Sequence, residues 1–216
     1  MRFTLQRRIN YAVDAWHSRC HAAWRYPALM TSRLTIAEAV AVLRNGGVIA
    51  YPTEAVWGLG CDPFDAVAVR RLLGIKQREE SKGLILIAAN LAQIAPLIDT
   101  DALLPERMQT VLATWPGPHT WLLPCTSVVP SWLRGIHTTL ALRVSAHPGV
   151  VALCEAFGGP IVSTSANPAG HEPARDAAAL DPALLEQIDG VLDGVTGGLP
   201  APTPIRDAAS GMVLRS

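Results

Sequence analysis

The apolar positions of this chain change period several times, and each change predicts an element. Ile36, Val40 and Leu43 recur at helical spacing, Thr35 and Glu38 stand as a Thr-x-x-Glu capping box, and Gly46-Gly47 closes the run. A first helix is predicted there. Residues 48–51 form a short unbroken apolar run, read as a buried strand cut by Pro52. Residues 53–60, with two glycines, read as a loop. A second helix is expected over 66–74 on Val69, Leu72 and Leu73, followed by a polar connection and a strand at 84–89. Beyond it the pattern predicts helices near 91–98 and 105–114, strands at 120–124 and 140–144, and a helix at 149–157. A strand at 160–163 runs into the polar Ser163-Thr164-Ser165-Ala166-Asn167. A helix near 176–188 and short strands near 190–193, 203–207 and 212–215 complete the series.

Strands alternating with helices argue for an α/β fold, and the crowding of strands late in the chain argues for a partly antiparallel sheet. No internal repeat or linker forces a second domain. The expectation is therefore α/β, a single-domain open twisted mixed (parallel/antiparallel) sheet with helices on its faces, over residues 30–216. Residues 1–29 look different, being rich in Arg, Trp and His without an apolar signal core. They read as a basic N-terminal extension, as a helix packed on the domain, or as a mis-assigned start, since Met30 opens directly onto the first helix.

Charge sharpens this division. The chain of 216 residues has no net charge, but residues 1–30 carry five arginines against Asp14 alone, a surplus of +4. The remainder is at −4, a poor balance for general binding of a nucleic acid backbone. Cys20, Cys61, Cys125 and Cys154 form no Cys-x-x-Cys pair, so neither a zinc site nor a disulfide framework is signalled. The six histidines show no ligand spacing, and no metal site is expected. No apolar run is long enough to span a bilayer, and a cytoplasmic protein is expected.

Ligands of open α/β sheets gather beyond the carboxyl ends of strands. Four segments suit that place: Thr53-Glu54, the connection holding Lys76, Arg78 and Lys82, Arg143, and residues 163–167. Only Lys76 and Lys82 are lysines among 18 basic residues, and they lie six positions apart. Lysine is a rotatable point charge suited to phosphate oxygens, whereas arginine is a planar fork. Each segment also has a structural reading, as turn, cap or ion pair, and the chain has no Walker A loop, no Gly-x-Gly-x-x-Gly and no His-Glu-x-x-His.

Taken in order, five segments resemble the YrdC family. They are Tyr-Pro-Thr-Glu-Ala-Val-Trp-Gly-Leu-Gly-Cys-Asp-Pro (51–63), Lys-Gln-Arg followed by Lys-Gly-Leu-Ile-Leu-Ile-Ala (76–88), and Trp-Pro-Gly-Pro-x-Thr (115–120). Leu-Ala-Leu-Arg-Val (140–144) and Ser-Thr-Ser-Ala-Asn (163–167) complete the set. The match is with the short bacterial branch, which makes threonylcarbamoyl-AMP from L-threonine, bicarbonate or CO2 and ATP, for N6-threonylcarbamoyladenosine at tRNA position 37. The resemblance implies ATP with Mg2+ carried on its phosphates, a downstream tRNA threonylcarbamoyl transferase complex as partner, weak RNA binding and no membrane. It places Lys76, Arg78 and Lys82 at the ATP phosphates as catalytic residues, with Thr120, Ser165 and Asn167 near the nucleotide. Thr53, Arg143, Ser163 and Thr203 would hold threonine, with Arg143 pairing its carboxylate. Two departures stand out: Glu79 follows the Lys-x-Arg motif where many relatives have Pro, and Ile87 stands where the longer branch has a histidine. Two other functions stay open, a double-stranded RNA-binding or ribosome-maturation module and a carbamoyl-adenylating domain.

Overall fold

The computed structural model describes residues 32–215. The expectation for residues 1–29 lies outside that span. Thr35 caps the first helix as the sequence pattern requires: its amide donates to Glu38 Oε2 at 2.8 Å and its hydroxyl accepts from the Glu38 amide at 3.4 Å. That helix, α1 (Ile36–Arg44), buries Ala39, Val40 and Leu43. Asp65 caps α2 (Ala66–Ile75), whose Ala68, Val69, Leu72 and Leu73 face inward.

Ten strands form one mixed sheet: β1 (Arg33–Leu34), β2 (Ile49–Pro52), β3 (Trp57–Gly60), β4 (Ile85–Ala88), β5 (Thr120–Pro124), β6 (Thr139–Val144), β7 (Ile161–Ser165), β8 (Gly190–Leu192), β9 (Ile205–Asp207) and β10 (Val213–Arg215). Their order is β1-β8-β2-β3-β7-β4-β6-β5-β9-β10. Parallel pairs (β1 with β8, β2 with β8, β4 with β6, β5 with β9) are mixed with antiparallel ones (β2 with β3, β3 with β7, β4 with β7, β5 with β6, β9 with β10). The period-2 geometry of a strand sends neighbours to opposite faces. In β2, Ile49 and Tyr51 join Val40, Leu43, Val150 and Leu153 on one face, whereas Ala50, with Val48 just before the strand, joins Trp57, Val69 and Leu72 on the other. The expected fold class holds.

Several boundaries differ from the sequence reading. Residues 57–60 are a strand, not part of a loop, and Pro52 does not cut β2 but is its last paired residue, opposite Trp57. The glycines mark a close approach rather than a turn. A Cβ on Gly60 would lie 2.7 Å from both the Tyr51 ring and the Val162 carbonyl oxygen, so only glycine fits this strand position. The helix expected over 91–98 is two short 3-10 turns, 91–93 and 95–97, with Pro96 in the second. That expected over 176–188 shrinks to a 3-10 turn at 177–179 and α6 (Pro182–Leu185). The helix α3 (Pro105–Leu112) stops two residues early, and the last-but-one strand starts at Ile205 rather than 203. The sequence pattern also leaves out β1, α4 (Ser131–Arg134) and the 3-10 turns at 80–82 and 100–102. The helix α5 (Pro148–Phe157) ends as expected, at Gly158 in the left-handed conformation (φ 90°).

Candidate functional site

The antiparallel return of β7 between β3 and β4 gathers four of the chemically suggestive segments around one cavity of about 670 Å³. Its walls include Thr53, Lys76, Arg78, Lys82, Arg143, Ser163, Ser165, Asn167 and Thr203. Thr120 does not line it. That residue is wholly buried, with a hydroxyl that finds no hydrogen-bond partner, and the structure does not bring it to the cavity wall. Ile87 is also fully buried, in the apolar cluster beside α5, although it sits opposite Arg143 in the β4–β6 register.

The deep end is built around Arg143 of β6, only 5% exposed. Its Nη1 donates to the Thr203 hydroxyl at 2.7 Å and its Nη2 to the Ser163 hydroxyl at 3.5 Å. Behind it the Glu54 carboxylate approaches Nη1 at 3.7 Å and accepts from the Ser145 hydroxyl at 2.7 Å. A buried guanidinium needs such a counter-charge, because a lone ion there is costly. Five N–H donors are present on the side chain and only two are engaged, so the head keeps free donors for an incoming anion. Thr53 closes this end: its amide and hydroxyl both donate to the Val56 carbonyl, at 3.1 and 2.8 Å, leaving the hydroxyl's lone pairs as acceptors. Tyr51 lies beneath, its hydroxyl donating to the Val162 carbonyl at 3.1 Å, and burial pushes its pKa far up.

The wide end is cationic. Arg78 donates from Nε and Nη2 to the Gly83 carbonyl at 3.2 and 2.9 Å, which folds the 78–83 connection back on itself. Lys82 is exposed and lines the cavity. This connection is braced by the segment after β5, through Leu84 N–H to the Leu133 carbonyl at 2.8 Å and Ile136 N–H to the Ser81 carbonyl at 3.2 Å. Gly135 is required for the approach, since a Cβ there would stand 2.2 Å from the Ser81 oxygen. Through this brace Arg134 and His137 also reach the wall.

Arg215 enters from the far edge, its Nη2 donating to the Thr203 carbonyl at 3.1 Å. Burial first, then the charges of Arg143 and Arg78, lowers its pKa; burial alone does so for Arg78. Among the described residues, none that lines the cavity is acidic. Sequence reasoning missed Arg134, His137, Arg215 and Gln77 as lining residues. Only a pairing of β10 with β9, and of the 133–136 turn with 81–84, could have signalled the first three.

Lys76, the C-cap of α2, also lines the cavity. Its ammonium donates to the Ser165 carbonyl at 2.7 Å, to Asn167 Oδ1 at 3.1 Å and to the Asn167 carbonyl. Burial, then the nearby Arg78 charge, lowers its pKa to about 8. The Asn167 carboxamide is engaged within its own turn, Nδ2 donating to the carbonyls of Pro168 (3.1 Å) and His171. Gln77 follows with φ 46°, the one non-glycine in the left-handed region among the described residues.

Comparison with known proteins agrees with this geometry. The Sua5/YciO/YrdC family model, described as "Telomere recombination", matches residues 41–216. The threonylcarbamoyl-AMP synthase of Xanthomonas euvesicatoria pv. vesicatoria is 61% identical over 186 residues, which is 86% of this chain and 100% of that protein. Among solved structures, P. abyssi Sua5 complexed with L-threonine superposes with a TM-score of 0.73 at 31% identity, over 80% of this chain and 50% of that one. This chain thus spans about half the length of that Sua5. E. coli YciO gives 0.76 at 27% identity, over 87% of this chain and 96% of that one. With the family model covering most of its length and four of its five motifs folded around one cavity, the chain belongs to the Sua5/YciO/YrdC family.

Proposed function

We propose that this chain is an L-threonylcarbamoyladenylate synthase, a nucleotidyltransferase that converts L-threonine, bicarbonate or CO2 and ATP to threonylcarbamoyl-AMP and pyrophosphate. The observation that carries this reading is the two-ended cavity. One end is a small, preset carboxylate receptor around Arg143, and the other is a rim of cations without a carboxylate. The names of the Xanthomonas relatives and the threonine-bound Sua5 support the same substrates.

In this reading the threonine carboxylate takes the free N–H groups of Arg143, between the hydroxyls of Ser163 and Thr203. The Thr53 hydroxyl accepts from its amine. Reaction of that amine with bicarbonate gives N-carboxythreonine and water. An oxygen of the new carboxylate then attacks the α-phosphorus of ATP, and the bond to the bridging oxygen breaks, releasing pyrophosphate with the electron pair. No protein nucleophile is needed. The chain's contribution is to hold two anions against each other and to neutralise the triphosphate with Arg78, Lys82, Arg134 and Arg215. Ser163 and Ser165 face the same space from β7.

Magnesium is carried in as part of the nucleotide. Among the described residues no group of three or more His, Cys, Asp or Glu side chains converges, and Glu54 is committed to Arg143 and Ser145. The phosphates themselves are its ligands in this reading. The product is an acyl phosphate anhydride, reactive toward amines, and its consumer is the complex that transfers the threonylcarbamoyl group to tRNA.

The direct test is pyrophosphate release with ATP, bicarbonate and each amino acid in turn. Threonine should give the largest rate. A rate with carbamoyl phosphate that exceeds the one with threonine and bicarbonate would transfer the assignment to carbamoyl adenylation, and tight RNA binding without ATP turnover would transfer it to an RNA-binding role.

A further inference from the structure

We infer that Lys76 is a positioning residue, a buried strut that holds the turn after β7 open to the nucleotide, and that the phosphates are gripped without it. The inference rests on the nucleotide reading of the cavity but changes which residues do the gripping. An ammonium has three N–H donors, and all three of those on Lys76 meet protein oxygens: the Ser165 carbonyl, the Asn167 carbonyl and the Asn167 side-chain oxygen. A phosphate oxygen would have to displace one of them. Lys82 presents the opposite case, being exposed on the cavity wall, its ammonium without a hydrogen bond or ion pair among the described residues.

The backbone makes the strut rigid. Lys76 N–H donates to the Leu72 carbonyl at 3.0 Å, which ties the residue to α2, while its head is tied to the end of β7. Gln77 then turns through φ 46°, and Arg78 N–H closes on the Leu73 carbonyl at 3.0 Å. The chain therefore reverses directly after the strut, and Arg78 turns to the Gly83 carbonyl instead. Lys76 and Arg78, two positions apart, brace two different segments of the chain.

This placement explains the choice of lysine in a chain whose other basic residues, apart from Lys82, are all arginine. Three oxygens converge on one point, and a compact ammonium meets them where a planar guanidinium cannot. It also gives the strut an electrostatic purpose. Three carbonyl-type oxygens beside the cavity would repel a triphosphate, and the ammonium neutralises them while fixing the strand end that carries Ser163 and Ser165. The charged group that bears on Lys76 is Arg78, and no carboxylate does.

With only two lysines in the chain, the wild-type protein itself supplies the test. Protein labelled with 13Cε-lysine gives two lysine resonances, assigned with Lys82→Arg. Pyrophosphate with magnesium should move the Lys82 resonance saturably and leave that of Lys76 nearly in place; an equal movement of Lys76 overturns the inference. A second measurement is hydrogen exchange of residues 164–171 in the ligand-free protein. Lys76→Met should speed it at least severalfold, and Lys76→Gln, which keeps a donor, should recover part of the protection. Unchanged exchange in a folded Lys76→Met protein also overturns the strut. If neither lysine resonance responds to pyrophosphate, the nucleotide reading fails, and the exchange measurement alone decides the strut.

Discussion

The two ends of the cavity solve the problem of binding an anion in opposite ways. At the deep end Arg143 is buried, its geometry set by Thr203 and Ser163 and its charge balanced by Glu54. Toward the other end Arg78, Lys82 and Arg134 line the cavity, with Arg215 reaching in beside Thr203, and no acidic residue is among the described residues that line it. A small carboxylate gains from a site organised in advance, because one misplaced hydrogen bond is a large part of its binding energy. A triphosphate gains from an excess of positive potential, whose strength depends little on the position of any one side chain. Substitutions at the deep end should therefore act on geometry and fold together, and that of Lys82, whose ammonium is tied to nothing among the described residues, on charge alone.

The largest effect is expected from Arg143→Ala. Threonine KM should rise at least a hundredfold, consistent with loss of about 3 kcal/mol or more in charge-assisted bonds. Stability should fall by about 3–5 kcal/mol, because Glu54 is left buried without its counter-charge. Denaturant unfolding of the double variant Arg143→Met, Glu54→Gln separates the two effects: it should regain most of the stability and none of the threonine binding. If the single variant were as stable as the wild type, the deep end would not be the charge-balanced receptor described.

Lys82→Ala comes next and tests the rim. ATP KM should rise about tenfold, the rise should shrink as salt is added, and the melting temperature should stay within a degree or so. A fall in stability comparable with that of Arg143→Ala would erase the contrast between the two ends.

How much of this contrast was legible beforehand follows from what each end is made of. Arg143, Ser163 and Thr53 lie in or directly beside strands, and strand ends are where ligands gather, so the pattern marked them as candidates, while the threonine role proposed for them came from the family resemblance. Lys76 was legible as a residue but not in its role, because a sequence does not show that the Ser165 and Asn167 oxygens converge on α2's last turn. Arg134 and Arg215 were not legible at all. They reach the cavity by tertiary pairings, a glycine-permitted contact between residues 135 and 81 and an edge-strand hairpin, that leave no periodic trace. The β3 strand was lost for a related reason, since its glycines answer to the Tyr51 ring rather than to a turn.

Thr203→Val removes one hydroxyl and keeps the shape. It leaves an Arg143 N–H unsatisfied in a buried site, which costs about 1.5 kcal/mol or somewhat more. Threonine KM should rise about tenfold with ATP KM unchanged. Equal rises in both would mean that the deep end and the rim are one site rather than two.

The smallest expected effect lies at Lys76, and its sign is distinctive. The pKa of this ammonium is lowered to about 8 from the ordinary 10.5, chiefly by burial. Below pH 8 it is charged in both the folded and unfolded chain, and burying the charge is a cost to folding. As pH rises from about 8 toward 10.5 the folded protein gives up the proton while the unfolded chain still holds it, so this group's contribution to stability becomes more favourable. Function should move the other way. A neutral amine has two donors for three oxygens, one of which then faces the triphosphate unneutralised. At pH 8.5 about a quarter of the molecules keep the charged strut, so kcat at saturating substrates should fall about fourfold from its neutral value. Activity would thus decline over a range in which Lys76 itself does not destabilise the fold. A parallel loss of activity and of thermal stability through pH 8–9 would instead mean that the alkaline limb reports unfolding and not loss of the charged strut.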